Sequence, residues 1–225
     1  MKKIIHYADE QTKMNYVVYV KENVDVSDMP LIIYLHGAGE RGLKVDHLSR
    51  HGIPKFLDAG REYDAVFLCP QCPCDRVWDN VVNDVKAIID TVVAKYNIKR
   101  DRICITGSSM GGFGTWMMGL TFTNFFAGIA PIAGGGMSWR GGNLRSTPVL
   151  AAHGDKDSVV PIIYSQLMVD RLKSIGNDAR LITLEGFGHN DGINEAYENE
   201  EIIRWLLKQR RTDYSEVPEA VSDCF

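Results

Sequence analysis

The stretch Ile103-Cys104-Ile105-Thr106-Gly107-Ser108-Ser109-Met110-Gly111-Gly112 constrains what this chain can fold into more than any other. A β-favouring run enters a Gly-x-Ser-x-Gly pentapeptide, and a helical segment follows it. The pattern reads as a strand that breaks in one sharp turn and opens a helix. Glycine suits such a turn because a β-carbon would clash where neighbouring elements approach closely. Spacing also selects the serine. Ser109 has Gly107 and Gly111 two residues away on either side, whereas Ser108 has Thr106 and Met110 there. A serine hydroxyl is a weak nucleophile until it is held exposed beside a base, and this turn is suited to hold Ser109 so. A glycine-serine turn can also be a plain connection. Here the strand before it and the helix after it both match the context that the chemistry requires.

The rest of the chain supplies the layers around that turn. Two edge strands are expected at 4–7 and 14–20, the second alternating through Tyr16-Val17-Val18-Tyr19-Val20. Continuous apolar runs at 31–35 and 65–69 read as strands buried on both faces. Over 81–96, Val81, Val85, Ile88, Ile89, Val92 and Val93 recur at helical spacing. Strands follow at 102–106, 127–133, 148–152 and 180–184, and helices at 110–120, 162–175 and 194–208. This alternation implies an α/β fold, a mainly parallel sheet with helices on both faces. No internal linker divides the chain, so residues 1–211 are expected to form one domain and 212–225 a polar tail. The glycine-rich stretch 134–142 reads as the most flexible internal segment, either the rim of a binding site or a plain connection.

Charge and cysteine usage narrow the partners. A net charge of −4 argues against nucleic acid, which needs a basic face. No apolar stretch is long enough to span a bilayer, and no basic amphipathic stretch suits a membrane surface. The N-terminal residues lack the apolar core of a signal peptide, so a cytoplasmic protein is expected, or a secreted one if a leader is missing from this sequence. Of the five cysteines, three cluster as Cys69, Cys72 and Cys74. A zinc site needs a second ligand pair at suitable spacing, and only the isolated Cys104 and Cys224 remain. Free thiols and no metal are therefore expected.

A serine nucleophile needs a base and a group that orients the base. Of the six histidines, only His153 and His189 follow Ser109. In strand-turn-helix hydrolases the order is Ser, then acid, then His. An acid within 153–161 leaves His189, in the loop after the last strand, as the base. That acid is Asp155 or Asp157, both at the C-terminal end of a strand, where functional groups gather in open α/β sheets. The competing role for these carboxylates is to cap the helix that follows Pro161. The tetrahedral oxyanion requires two inward backbone N–H groups. One comes from Met110, the residue after the nucleophile, and the other from the glycine-rich loop 36–42.

With these residues assembled, the chain resembles the α/β-hydrolase superfamily, and within it the small lidless esterases: phospholipase/carboxylesterases, the esterase D and feruloyl-esterase group, and the so-called predicted peptidases. The resemblance rests on Leu35-His36-Gly37-Ala38-Gly39-Glu40-Arg41-Gly42, on Cys69-Pro70-Gln71-Cys72-Pro73 followed by Trp78, on the Ser109 motif, on 153–161, and on Gly188-His189. It implies an α/β-hydrolase fold without a large cap domain, with Ser109 as nucleophile, His189 as base and Asp157 as the orienting acid. It places the oxyanion amides on Ala38 and Met110. Gln71, Trp78 and Gly39 are expected at the substrate, and the Glu40-Arg41 pair is expected to brace the oxyanion loop. The implied activity is hydrolysis of short-chain or aromatic acyl esters through an acyl-enzyme, including acyl or feruloyl groups of carbohydrates, without a cofactor. A serine peptidase of the same fold is the alternative, and a non-catalytic binding protein a lesser one. The expected partner is a small-molecule ester, and the expected state a monomer or homodimer.

Overall fold

In the computed structural model, which describes residues 1–212, the apolar runs become the strands of one eight-stranded sheet. The strands are β1 (Lys2–His6), β2 (Tyr16–Val20), β3 (Leu31–Leu35), β4 (Val66–Pro70), β5 (Ile103–Ser108), β6 (Gly128–Ile132), β7 (Leu150–Gly154) and β8 (Arg180–Leu184). Their order is β1-β2-β4-β3-β5-β6-β7-β8. β1 and β4 both run antiparallel to β2, and every pair from β4 to β8 is parallel. The register Leu31↔Ile103 through Leu35↔Gly107 brings the ends of β3 and β5 level. The loop after β3 and the turn after β5 therefore emerge side by side. This is the α/β-hydrolase architecture expected from the sequence, and the described residues contain no cap domain.

Helices cover both faces: α1 (Gly52–Asp58), α2 (Val82–Tyr96), α3 (Met110–Thr121), α4 (Ile163–Ser174), α5 (His189–Glu198) and α6 (Glu201–Lys208). Successive strand side chains point to opposite faces, so each central strand feeds two cores. Leu31, Ile33 and Leu35 pack with Val85, Ile88 and Val92 of α2 and with Trp116 and Met168 of α3 and α4. Ile32 and Tyr34 pack on the other side with Ile53 of α1, Tyr197 of α5 and Leu206 of α6. Burial on both faces explains why β3 carries no polar alternation. The described residues contain no helix long and apolar enough to cross a membrane.

Three expectations need correction. The last helix is two helices, because Glu200 adopts φ 62° and the Asn199 side chain accepts the Glu201 N–H at 3.0 Å. Tyr63 holds that break in place by donating to Glu200 at 3.0 Å. Helix α1 was not foreseen; it enters through Gly52 at φ 61°, where a β-carbon would run into the Tyr34 ring. The stretch 134–142 is not a slack loop. Gly134 and Gly135 are buried, and β-carbons there would stand 2.6 Å from the Phe113 nitrogen and 2.7 Å from Tyr164 Cβ. Its glycines permit close packing against α3 and α4, and Ser138–Leu144 then winds into a 3₁₀ helix. The expected polar tail lies, from residue 213 onward, outside the described residues.

Candidate active site

The turn between β5 and α3 is strained where the sequence requires it. Ser109 sits at φ 56°, ψ −119°, a conformation that non-glycine residues rarely adopt. Two backbone bonds hold it, Ser109 N–H to Ile132 O and Phe113 N–H to Ser109 O, both at 3.0 Å. A β-carbon on Gly107 would lie 2.6 Å from the Leu35 carbonyl oxygen, and one on Gly111 would fall inside that same carbonyl. Glycine at both positions lets β3, β5 and α3 meet and leaves the Ser109 hydroxyl at the C-terminal edge of the parallel strands.

Opposite Ser109 stands His189, the first residue of α5 rather than a loop residue. Its Nε2 lies 2.9 Å from Ser109 Oγ, and its Nδ1 lies 2.7 Å from Asp157 Oδ2. A carboxylate only accepts, so Nδ1 carries the proton and Nε2 is left to accept from the serine. The second oxygen of Asp157 accepts the Val159 and Val160 N–H groups at 2.9 and 2.8 Å. Burial acts to raise the Asp157 carboxyl; the bonds from His189, Val160 and Val159 outweigh it and hold the group below the usual carboxylate range. Its side chain is closed to solvent, while that of His189 is 12% exposed.

Asp155, the other candidate acid, turns elsewhere. It accepts the Gly186 N–H at 2.7 Å and so braces the turn that carries His189. Neither carboxylate caps α4, whose first turn has no side-chain cap. Gly154 lets that turn close down, since a β-carbon there would lie 2.6 Å from the Gly188 carbonyl oxygen. His153 is fully buried and directed away from Ser109, toward Val160 and Ser165.

The loop after β3 closes over the serine from the other side. A β-carbon on Gly37 would stand 3.7 Å from Ser109 Cβ. Ala38 opens a single 3₁₀ turn and Met110 opens α3, so both N–H groups belong to first-turn positions without an intrahelical acceptor. Gly39 is exposed, with open space where its β-carbon would be.

Gln71 and Trp78, expected at the substrate, do other work. Gln71 is 1% exposed, and its amide donates to the Glu40 and Lys44 carbonyls at 3.0 and 2.9 Å. Trp78 is equally buried and donates to the His36 carbonyl at 2.9 Å. Both are struts beneath the loop after β3, because their donors are consumed by its backbone. Glu40 and Arg41 form no ion pair with each other. Arg41 Nε donates to Ala38 O at 3.1 Å. Glu40 is buried, and burial raises its carboxyl above the ordinary range.

Sequence reasoning overlooked an aromatic pair beside the serine. Phe113, one helical turn beyond Ser109, meets Tyr164 edge-on at 5.8 Å between centroids. Tyr164, Val159, Ile163 and Leu167 all expose apolar side chains at the start of α4 and the loop before it. The i, i+4, i+8 spacing of Val159, Ile163 and Leu167 was the available signal. The cysteines are dispersed: Cys69 and Cys72 pack into opposite cores, and Cys74 is exposed. Among the described residues no His, Cys, Asp or Glu side chains gather in a set suited to a metal.

Residues 63–203 match the phospholipase/carboxylesterase family. The chain is 32% identical over 120 residues to acyl-protein thioesterase 1 of Gibberella zeae, covering 48% of this chain and 49% of that one. It is 24% identical to acyl-protein thioesterase 1 homolog 1 of Dictyostelium discoideum, over 73% of this chain and 84% of that one. Among solved structures, a thermostable esterase superposes with a TM-score of 0.81 at 31% identity, over 93% of this chain and 63% of that one. The chain thus spans about half the length of the first of these relatives.

Proposed function

The chain belongs to the phospholipase/carboxylesterase family, and on that premise we propose that it is a serine carboxylic-ester hydrolase working through an acyl-enzyme. The observation that carries this reading is the unbroken relay Ser109 Oγ, His189 and Asp157, with contacts of 2.9 and 2.7 Å. His189 takes the Ser109 proton as the oxygen attacks the acyl carbonyl. The Ala38 and Met110 amides hold the oxyanion, each donor contributing about 3–4 kcal/mol of transition-state stabilisation. His189 then delivers its proton to the leaving alcohol, and the same imidazole activates the water that frees the acid. Asp157 stays ionised, fixes the tautomer and stabilises the imidazolium. The scheme uses no metal or organic cofactor.

Residues 1–211 act as one catalytic unit, and Gly39 lies against the substrate. The substrates are short-chain or aromatic acyl esters, including acyl or feruloyl groups of carbohydrates. Support comes from a serine edge that no cap covers among the described residues and from the Phe113–Tyr164 pair one turn from the nucleophile.

The test is hydrolysis of p-nitrophenyl acetate, butyrate and octanoate, methyl ferulate, an acyl thioester and an aminoacyl p-nitroanilide, by the native protein and by Ser109→Ala. Ester turnover that vanishes in the variant supports the reading. Anilide cleavage at a comparable rate favours a peptidase, and turnover retained by Ser109→Ala refutes the mechanism.

A further inference from the structure

One buried ionisable side chain near the relay has no part in it. His153, at the end of β7, is fully buried, as is Ser165 of α4. Its Nε2 faces only acceptors, the Val160 carbonyl at 2.7 Å and Asp157 Oδ2 at 3.4 Å. That nitrogen therefore carries the proton. The contact to Val160 is the hydrogen bond, and the longer one to Asp157 is electrostatic. Val160 in turn donates its N–H to Asp157 Oδ1 at 2.8 Å. The same residue is thus held on both sides, by His153 through its carbonyl and by Asp157 through its amide. On the far side of the ring, Ser165 Oγ lies 2.7 Å from Nδ1 and 2.8 Å from the Gly134 carbonyl, and its one proton serves either acceptor. Gly134 packs against Gly112 and Phe113, just beyond Ser109.

We propose that His153 is a positioning residue: it clamps the turn 157–160 so that Asp157 Oδ2 meets His189, and its Nε2–H moderates the negative charge of that carboxylate. The inference rests on the esterase reading above. Two features carry it beyond ordinary core packing. An apolar residue of similar volume would fill the space but leave the Val160 carbonyl without the donor that Nε2 supplies. The ring also approaches Asp157 Oδ2, the same oxygen that meets His189 Nδ1, so a donor there acts on the base through the carboxylate. Burial lowers the His153 pKa against the opposing pull of Val160 and Asp157, which keeps the ring neutral near pH 7. The titratable groups facing it are Asp157 on its own loop and, beyond Asp157, His189 at the start of α5; α4 presents the uncharged Ser165.

The test compares His153→Ala, His153→Gln and His153→Asn by the pH profile of kcat/KM on p-nitrophenyl butyrate and by thermal melting. Glutamine carries an N–H at the reach of Nε2, and asparagine one at the reach of Nδ1. His153→Ala is expected to lower kcat about 10–100-fold, the usual effect of removing an outer partner of a catalytic pair, with KM little changed. Its acid limb moves to higher pH, because an unmoderated carboxylate holds a proton on the imidazole more firmly. Glutamine restores both the limb and most of kcat; asparagine, which keeps only the Ser165 side, restores neither. Should the alanine variant fail to fold, the glutamine–asparagine pair decides alone. An unmoved acid limb, or activity that tracks melting temperature alike in both amides, overturns the proposal. Hydrolysis that survives Ser109→Ala overturns the esterase reading instead, independently of His153.

Discussion

Acid should weaken this fold through His36 before it titrates most carboxylates. His36 is completely buried at the end of β3. Its Nε2 accepts the Cys72 N–H at 2.9 Å, and its Nδ1 donates to the Gly37 carbonyl at 2.6 Å. Cys72 N–H only donates and Gly37 O only accepts, so the two bonds specify one neutral tautomer. A second proton on Nε2 would set a donor against a donor in a site closed to solvent. Burial accordingly lowers the His36 pKa from 6.5 to about 4, with the Gly37 bond opposing and Arg41 adding to the shift. Unfolded chains take up that proton near pH 6.5 and the folded protein only near 4. Stability is therefore full above the upper value and falls as pH drops through the interval. At about 1.4 kcal/mol per pH unit, the interval is worth about 3 kcal/mol. The Glu40 carboxyl 3.8 Å from Nδ1 does not reverse this, because a neutral ring makes no ion pair.

The assay is urea unfolding at half-unit steps from pH 7.5 to 4.5, for the native protein and for His36→Gln, which keeps an acceptor facing Cys72. His6 and His153 also have lowered values, through burial, so the difference between the two proteins isolates His36. The native protein should lose stability faster than the variant below pH 6.5, with the gap widening by about 2.5 kcal/mol by pH 4.5. Parallel curves would refute the argument that the buried tautomer resists protonation.

Three further outcomes are expected. Asp157→Asn should reduce kcat about 10³–10⁴-fold with KM little altered, since an amide can present its N–H to Nδ1 and favour the wrong tautomer; steady-state kinetics decide it. Gln71→Ala should cost about 2–4 kcal/mol in chemical unfolding, because the Glu40 and Lys44 carbonyls lose their donor, yet leave the ranking of ester substrates unchanged. Tyr164→Ala should lower kcat/KM for methyl ferulate more than for p-nitrophenyl acetate, and an unchanged ratio would remove the aromatic pair from the substrate's path.

Much of this molecule is written locally. Helix α2 repeats its apolar residues at helical spacing and ends where Asn97 turns left-handed. Strands β3 and β8 begin and end as their apolar runs do. Local signals failed where contacts across the chain override them. Residues 194–208 keep a helical composition, but Tyr63 and Arg61 hold Glu200 at the break between α5 and α6. Glycines at 134–136 look like slack in a one-dimensional reading, although each one admits a neighbouring helix. Gln71 and Trp78 look like pocket polar groups until the loop above them is seen to absorb their donors.

By itself, then, the sequence determined the alternation of strands and helices and the turn at Ser109, because hydrophobic period and glycine spacing act between neighbours along the chain. Residue spacing left Asp155 and Asp157 open and the family resemblance pointed to Asp157, but only the tertiary structure brings that carboxylate to His189. The inward placement of His36 and His153 as neutral rings in a polar frame was likewise decided there. Asp157 and His189 are 32 residues apart, and His189 and Ser109 are 80 apart. Only the parallel stacking of β5, β7 and β8, which aligns their C-terminal ends, brings such groups within hydrogen-bonding distance.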